Sequence, residues 1–226
     1  MSSPVAQLND EIAGCRRCPR LVAWREQVAR ERRPAFADEA YWGRAVPGFG
    51  SEEGPILIVG LAPAAHGANR TGRMFTGDRS ADVLVASMYR VGLANQPESR
   101  RGGDGLALRG CRLTAAVHCA PPGNRPTPDE RARCQGFLER EITLVKPTVI
   151  VALGAIAWDA VLRTLRALGH PSAPKPRFGH GVEVRIGDRW LIGAYHPSQQ
   201  NTFTGRLTPA MLDAVLARAV ARAGSA

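Results

Sequence analysis

The chain has 226 residues, 44% of them hydrophobic, and carries 30 Lys and Arg against 20 Asp and Glu, which gives a net charge of +10. This length predicts a single domain over residues 1–226 that can bury a core, and no apolar run is long enough to cross a bilayer. The N-terminus lacks a basic segment followed by an apolar one, so we expect no secretory signal and a cytoplasmic location. The positive charge is compatible with a polyanionic partner but does not establish one.

The N-terminal part, residues 1–50, is predicted to be helical over residues 5–30, with a break at Cys15-Arg16-Arg17-Cys18-Pro19, and irregular thereafter. The rest, residues 51–226, alternates apolar and amphipathic stretches and predicts an α/β core. Residues 96–105 are polar and glycine-rich, which is typical of a mobile surface loop. Strands are expected over residues 56–59, 113–117, 148–153, 182–186 and 190–194, and helices over about 79–91, 129–146, 155–167 and 209–222. This order favours an α/β sandwich with a largely parallel sheet.

Two long loops follow apolar runs in this pattern. Gly60–Asp78 follows one predicted strand, and Tyr195–Thr202 follows another. Open α/β sheets bind their ligands in loops at the carboxyl ends of the strands. Both loops are rich in Gly, Pro and small polar residues, and several arginines suited to binding phosphate lie in or beside them, namely Arg70, Arg73, Arg79, Arg125 and Arg206. We therefore predict that the two loops form a polar pocket and that the protein is an enzyme.

Five cysteines raise the question of a metal site. Cys15 and Cys18 form a Cys-x-x-Cys half-site, which Cys119 and Cys134 can complete as four thiolates. Their wide separation is unlike a zinc ribbon and favours a cubane iron–sulfur cluster, although the spacing leaves zinc open. Cys111, at the start of a predicted strand, is expected to be a buried structural thiol.

These features together resemble the family 5 uracil-DNA glycosylases. The loop Gly60–Asp78 resembles the first motif of that family, His196-Pro197-Ser198 resembles the second, and the four cysteines match the pattern that holds a [4Fe-4S] cluster in families 4 and 5. The resemblance runs from about Cys15 to Thr208. It implies a three-layer α/β/α sandwich with a central, mainly parallel four-stranded sheet.

The resemblance also implies an activity. A monofunctional DNA glycosylase would hydrolyse the N-glycosidic bond of a damaged base that is flipped out of double-stranded DNA, and would act as a monomer without a membrane partner. Phe75 would stack on the base, amides near Leu61 and Ala62 would bind its oxygens, and His196 would donate a hydrogen bond to its O2. Asp78 would orient water or stabilise the sugar cation, or else only cap a helix.

Two further polar residues belong to the expected site. Asn124 would contact the base or the water, or else serve only in a turn, and Asn69 would line the pocket. DNA contacts are expected from Arg70 and Arg73 in the first loop and from the second loop, through Ser198, Gln199, Gln200, Asn201, Phe203 and Arg206. Phe203 would act as an apolar wedge in the duplex.

The chain departs from the superfamily pattern at two positions. Ala62 stands where several branches place Asp or Asn to position water, and Ala115 stands where family 4 relatives carry an Asn that reads uracil. Without this Asn, no side-chain hydrogen-bonding group is left unpaired when another base binds, so the pocket does not reject that base. We therefore expect broad specificity, for uracil, hypoxanthine and ethenocytosine.

Two other functions are compatible with parts of the sequence. The first is a non-catalytic iron–sulfur protein that binds DNA or senses redox state on the same fold, which the alanine at position 62 would allow. The second is a nucleotide hydrolase, which is disfavoured because the glycine-rich loop lacks the Gly-Lys-Ser/Thr ending of a P-loop.

Overall fold

The structure, a computed structural model, describes residues 2–224. Six strands in this range form one mixed sheet: β1 (Phe49–Gly50), β2 (Ile56–Gly60), β3 (Cys111–Ala115), β4 (Val149–Leu153), β5 (Glu183–Ile186) and β6 (Arg189–Ala194). Their spatial order is β1-β3-β2-β4-β6-β5. The inner four strands are parallel, and β1 and β5 pair antiparallel at the two edges. The predicted α/β class is confirmed, but the sheet has six strands instead of four because an antiparallel strand extends each edge.

Helices cover both faces of this sheet. They are α1 (Pro4–Gly14), α2 (Pro19–Glu31), α3 (Ala68–Thr71), α4 (Arg79–Arg90), α5 (Pro128–Val145), α6 (Ala155–Ala167), α7 (Gln199–Phe203) and α8 (Pro209–Ala223). Successive residues of β2 enter different cores: Ile56 and Ile58 pack with α4 and α8, whereas Leu57 and Val59 pack with α5 and α6. Because strand side chains alternate between faces, this division requires a sheet that is buried on both sides.

Local sequence signals set the ends of these helices. Thr127 accepts a hydrogen bond from the amide of Glu130, whose carboxylate in turn accepts from the amide of Thr127, a capping box that starts α5. Proline occupies the first turn of α2 and α8, where a missing N–H costs nothing. None of the helices within residues 2–224 is long and apolar enough to span a membrane.

The N-terminal 50 residues pack against the α/β core. The helical break falls between α1 and α2, at the Cys-x-x-Cys, as expected. However, β1 belongs to the sheet, and α1 packs on α5. Arg112 of β3 forms a fully buried ion pair with Glu141 of α5 at 2.6 Å and also donates to Asn9 of α1 at 2.7 Å. A division of the chain at residue 50 therefore cuts through one packed unit.

Candidate active site

A pocket of about 500 Å³ opens at the carboxyl ends of the parallel strands. Both β2 and β6 pair with β4, so the loops that follow them lie close together across the end of β4. The β3–α5 connection closes a third side. Nine of the predicted site residues line this pocket: Leu61, Ala62, Phe75, Asp78, Ala115, Asn124, His196, Ser198 and Gln200. The structure thus brings the two motif loops into one site, with Ala115 at the end of β3.

Phe75 supplies the aromatic wall of the pocket. Its ring lies so close to the end of β2 that a Cβ at Gly60 would stand 2.7 Å from the ring, which explains the glycine there. The ring centroid lies 6.4 Å from that of His196, with 35° between the ring planes. Phe75 has a φ of 47°, a left-handed conformation that bulky residues rarely adopt.

His196 follows β6, and its neutral imidazole faces the pocket. Burial lowers the pKa of its imidazole to about 4. The side chain of Asn201 donates to the main-chain oxygen of His196 at 2.8 Å, which fixes the turn. Within residues 2–224 neither ring nitrogen of His196 has a protein hydrogen-bond partner, so the ring is free to bind a ligand.

The helix-capping role considered for Asp78 is confirmed, whereas its role toward the water or the sugar stays a prediction. One carboxylate oxygen accepts from the amide of Ala81 at 3.0 Å and caps α4, and the side chain also lines the pocket. A Cβ at Gly67 would stand 2.0 Å from the other carboxylate oxygen, so only glycine leaves room for this acid. Burial raises the pKa of the carboxyl above its ordinary value, although the amide of Ala81 opposes the shift.

Asn124 serves in a turn, which is one of its two predicted roles, whereas its contact with the base or the water stays a prediction. It ends the short 3-10 turn Pro122–Asn124 with a φ of 58°, and its exposed side chain lines the pocket beside Arg125. Asparagine tolerates this left-handed conformation better than most residues. The turn therefore projects a polar group over the mouth of the pocket.

Three predicted contacts are corrected by the structure. Asn69 is fully buried outside the pocket, where its amide donates to the carbonyls of Arg25 and Ala65. Arg70 is buried in an ion pair with Glu39 and stacks on Phe36. A side chain whose donors are used inside the protein cannot also hold DNA phosphate. The same correction applies to Arg73.

Arg73 is held by Asp104 instead of facing the solvent. Two of its nitrogens donate to the Asp104 carboxylate at 2.7 and 2.8 Å, and both side chains are about nine-tenths buried. Burial alone would raise the pKa of the Asp104 carboxyl, but hydrogen bonds from Arg73 and from main-chain amides outweigh it and hold this pKa far below its usual range. Asp104 lies in the loop predicted to be mobile, residues 96–105, which is packed against the first motif loop.

The second motif loop continues into the short helix α7. Ser198 caps this helix, while Gln199 and Gln200 are exposed at its start. Phe203 at its end is 72% exposed, more than any other large hydrophobic side chain among the described residues. Arg206 is also exposed and lies over the ring of Tyr195 at 4.6 Å. The side-chain amide of Asn201 donates to the main chain of His196, so Asn201 has a structural role in this loop.

The four cysteines of the predicted cluster site line one cavity beside α2 and α5. Burial raises the pKa of the Cys119 thiol to about 11 and that of Cys134 to about 12. Within residues 2–224, no three His, Cys, Asp or Glu side chains are arranged to hold a single metal ion. Cys111 lies apart in β3, fully buried, and donates to the carbonyl of Leu93, in keeping with a structural thiol.

Sequence reasoning missed some of the site. Ile156 lines the pocket from the first turn of α6, directly after β4, and Met74 lines it from the first loop. The end of β4 is a third strand end at the same edge, and this signal could have pointed to Ile156. Arg25, buried against Cys119, has no comparable signal because its partner lies 94 positions away.

The fold and the pocket together define an α/β protein with a cleft at the strand ends, lined by an aromatic ring and a neutral imidazole. Residues 47–219 match the family model described as the uracil DNA glycosylase superfamily. The chain belongs to this superfamily, in its type-5 branch, and is an enzyme of the DNA glycosylase class.

Individual relatives agree with this assignment. The chain is 58% identical over 224 residues to a type-5 uracil-DNA glycosylase of Mycobacterium leprae, covering 97% of this chain and 96% of the relative. It is 57% identical over 223 residues to one of Mycobacterium bovis, covering 97% and 82%. It is 50% identical over 217 residues to one of Thermus thermophilus, covering 94% and 95%.

The buried imidazole gives a first prediction. Because burial disfavours the charged form, the pKa of His196 lies below that of a free histidine, and the ring stays neutral as the pH falls from 8 to 6. An NMR titration of histidine-labelled protein, with the His196 signal assigned from its absence in His196→Gln, should give a midpoint at about 4. A midpoint near the ordinary value of about 6.5 would contradict the buried environment.

Proposed function

We propose that this enzyme excises uracil and other deaminated or alkylated bases, such as hypoxanthine and ethenocytosine, from double-stranded DNA. The target base is flipped out of the duplex, its N-glycosidic bond is hydrolysed and an abasic site remains. The observation that carries this proposal is the single pocket in which Phe75, His196 and Asp78 meet at the strand ends. The names of the type-5 relatives support uracil as a substrate.

Base binding follows from the walls of the pocket. The ring of Phe75 offers a flat face on which any base can stack, and stacking does not depend on the identity of the base. Leu61 and Ala62 follow β2 directly, and their small or aliphatic side chains leave the main chain close to the pocket. Main-chain amides in this position would bind the oxygens of the base.

The neutral state of His196 determines what it can contribute. As the glycosidic bond breaks, negative charge develops on the base, and a neutral imidazole can donate a hydrogen bond to its O2. Its ring has no competing protein partner among residues 2–224, and Asn201 holds the main chain of the loop. A donor fixed in advance stabilises the leaving base without first being reoriented.

The sugar and the attacking water lie on the side of Asp78. Departure of the base leaves an oxocarbenium-like sugar, which the carboxylate of Asp78 and the flanking DNA phosphates would stabilise. Asp78 would also orient the water that attacks C1′, the task for which position 62 has no polar side chain. Asn124, which also lines the pocket, is the second candidate for holding this water.

The composition of the pocket supports the broad specificity in the proposal. Ala62 and Ala115 offer no side-chain donor or acceptor to the edge of the base, and Ala115 is 1% exposed at the end of β3. A site rejects a wrong base strongly only when its own polar groups would be left unpaired. With alanine at both positions that penalty is absent, so larger bases are accepted.

DNA contacts are proposed for the second motif loop and its neighbours. Phe203 is exposed at the end of α7, close to the pocket entrance formed by Ser198 and Gln200, and would enter the duplex as a wedge. Arg125 is exposed and lines the pocket, Arg206 is exposed shortly after α7, and both would bind phosphates beside the flipped nucleotide.

The cysteine cavity is proposed to hold a [4Fe-4S] cluster. Four thiols line one cavity, and three of the four cysteines are buried. Four thiolates are the ligand set of a [4Fe-4S] cluster. Arg25 is 1% exposed, forms no ion pair within the described residues and donates to the Cys119 sulfur at 2.8 Å, a positive charge suited to anionic ligands.

When bound, the cluster would supply a structural link between the α1–α2 turn and the Cys119–Cys134 segment. Cys15, Cys18, Cys119 and Cys134 would hold it. No redox step is needed for hydrolysis of the glycosidic bond, so we assign the cluster no part in the reaction.

Removal of the imidazole tests the leaving-group assignment. His196→Ala should lower single-turnover excision of uracil by about 100- to 1,000-fold, because one donor to a developing negative charge is lost. Binding to a duplex with an abasic-site analogue should be unchanged. His170→Ala is a matched control, because this histidine lies beside Gly187 and Arg189, at the opposite end of β6. Full activity of His196→Ala would remove His196 from the mechanism.

Substitution of Ala115 tests the specificity argument. Ala115→Asn should lower excision of hypoxanthine relative to uracil by at least about tenfold, because the new amide is left unpaired by the wrong base. Ala115→Val adds comparable bulk without hydrogen-bonding groups and controls for crowding. The measurement is a panel of duplexes with uracil, hypoxanthine or ethenocytosine at saturating enzyme. If the wild-type protein removes only uracil from this panel, the permissive pocket is wrong.

Iron content tests the cluster. The purified protein should contain about four iron atoms per chain and absorb broadly near about 400 nm, as expected for a cluster with four thiolate ligands. Cys119→Ala should lose this band, whereas Cys111→Ala, outside the cavity, should retain it. A colourless protein with zinc in the same cavity would contradict the assignment.

A further inference from the structure

The loop formed by residues 96–105 is attached to the first motif loop by one buried carboxylate. Asp104 accepts hydrogen bonds from both terminal nitrogens of Arg73, and it also accepts from the main-chain N–H groups of Arg100 at 2.8 Å, Arg101 at 3.2 Å and Leu106 at 3.1 Å. Five hydrogen bonds to one carboxylate fix this loop around Arg73. Neither Asp104 nor Arg73 lines the pocket.

The same arginine holds the chain on both sides of Phe75. Its Nε donates to the hydroxyl of Thr76 at 2.8 Å, and its Nη2 donates to the hydroxyl of Ser99 at 3.1 Å. The two hydroxyls lie 2.7 Å apart, and the amide of Gly77 donates to the carbonyl of Ser99 at 2.8 Å. Thr76 and Ser99 are fully buried. Residues 73, 76 and 77 are thus all fixed to the 96–105 loop, with Phe75 between them.

Phe75 needs such support because its backbone is strained. A positive φ at a bulky residue persists only where the surroundings impose it. Without these contacts, the backbone of Phe75 would return to an ordinary negative φ, and its ring would leave the wall of the pocket.

We propose that Asp104 is a positioning residue for base recognition: acting through Arg73, Thr76 and Ser99, it holds Phe75 in the strained conformation that presents its ring to the flipped base. This inference rests on the proposed function, in which Phe75 stacks on the base. It assigns a role in catalysis to a loop that touches neither the base nor the reacting atoms.

The test begins with Asp104→Asn. The substitution keeps the shape of the side chain but leaves Arg73 buried without its countercharge. We expect single-turnover excision of uracil to fall about 10- to 100-fold, the effect of a small misplacement in a preorganised site. Ser99→Ala removes the hydroxyl that accepts from Arg73 Nη2 and leaves no charge unpaired, so it should lower excision more weakly. It provides the test should Asp104→Asn fail to fold.

Asp213→Asn is the matched control. Asp213 also accepts two hydrogen bonds from one arginine, Arg90, at 2.7 and 2.8 Å, but this pair joins α4 to α8 at the end of α4 away from the pocket. Excision by Asp213→Asn should equal that of the wild type at a temperature where both are folded. An equal loss in both variants would show a general effect of destabilisation and overturn the inference.

A double-mutant cycle with Phe75→Ala separates this inference from the proposed function. If Asp104 acts through Phe75, adding Asp104→Asn to Phe75→Ala causes no further loss of excision. An undiminished loss in the Phe75→Ala background, or full activity of Asp104→Asn alone, overturns the inference and leaves the stacking role of Phe75 intact. Full activity of Phe75→Ala itself would instead refute the stacking role, and the inference with it.

Discussion

The pairing of β4 with both β2 and β6 is the constraint on which the pocket depends. Val151 of β4 pairs with Ile58 on one side and with Ile192 on the other. This register brings the ends of three strands to one level, and it places the loops that carry Phe75 and His196 on either side of β4. A slip of one residue would move a loop by about 3.3 Å and turn every side chain of that strand to the opposite face.

Most of the fold could be predicted from the sequence because its signals are local. Strand alternation, the capping residue Thr127 and the loops after β2 and β6 depend on neighbours within a few positions, and the structure places them as expected. The edge strand β1 could not be predicted, since its two residues form a strand only by pairing with β3. Sequence spacing alone does not indicate such a distant partner.

The errors at the site have the same origin. Arg73 lies in a loop that approaches the ligand, and its partner Asp104 lies 31 positions later in a segment whose composition is typical of a mobile loop. An arginine predicted to bind phosphate and an arginine buried in an ion pair look alike in the sequence, because charge and local context are the same. Only the tertiary contact distinguishes them. Asn69 was misassigned for the same reason, since its carbonyl partner on Arg25 lies 44 positions away.

Cys119 lies in the connection between β3 and α5, Cys134 lies in the second turn of α5, and both thiols are buried in one cavity. Between them, the turn with Asn124 and Arg125 forms a wall of the pocket. The packing of the cysteine cavity therefore helps to determine where this turn lies. A substitution that disturbs either thiol would shift the side chains of Asn124 and Arg125 at the pocket, although neither cysteine lines the pocket itself.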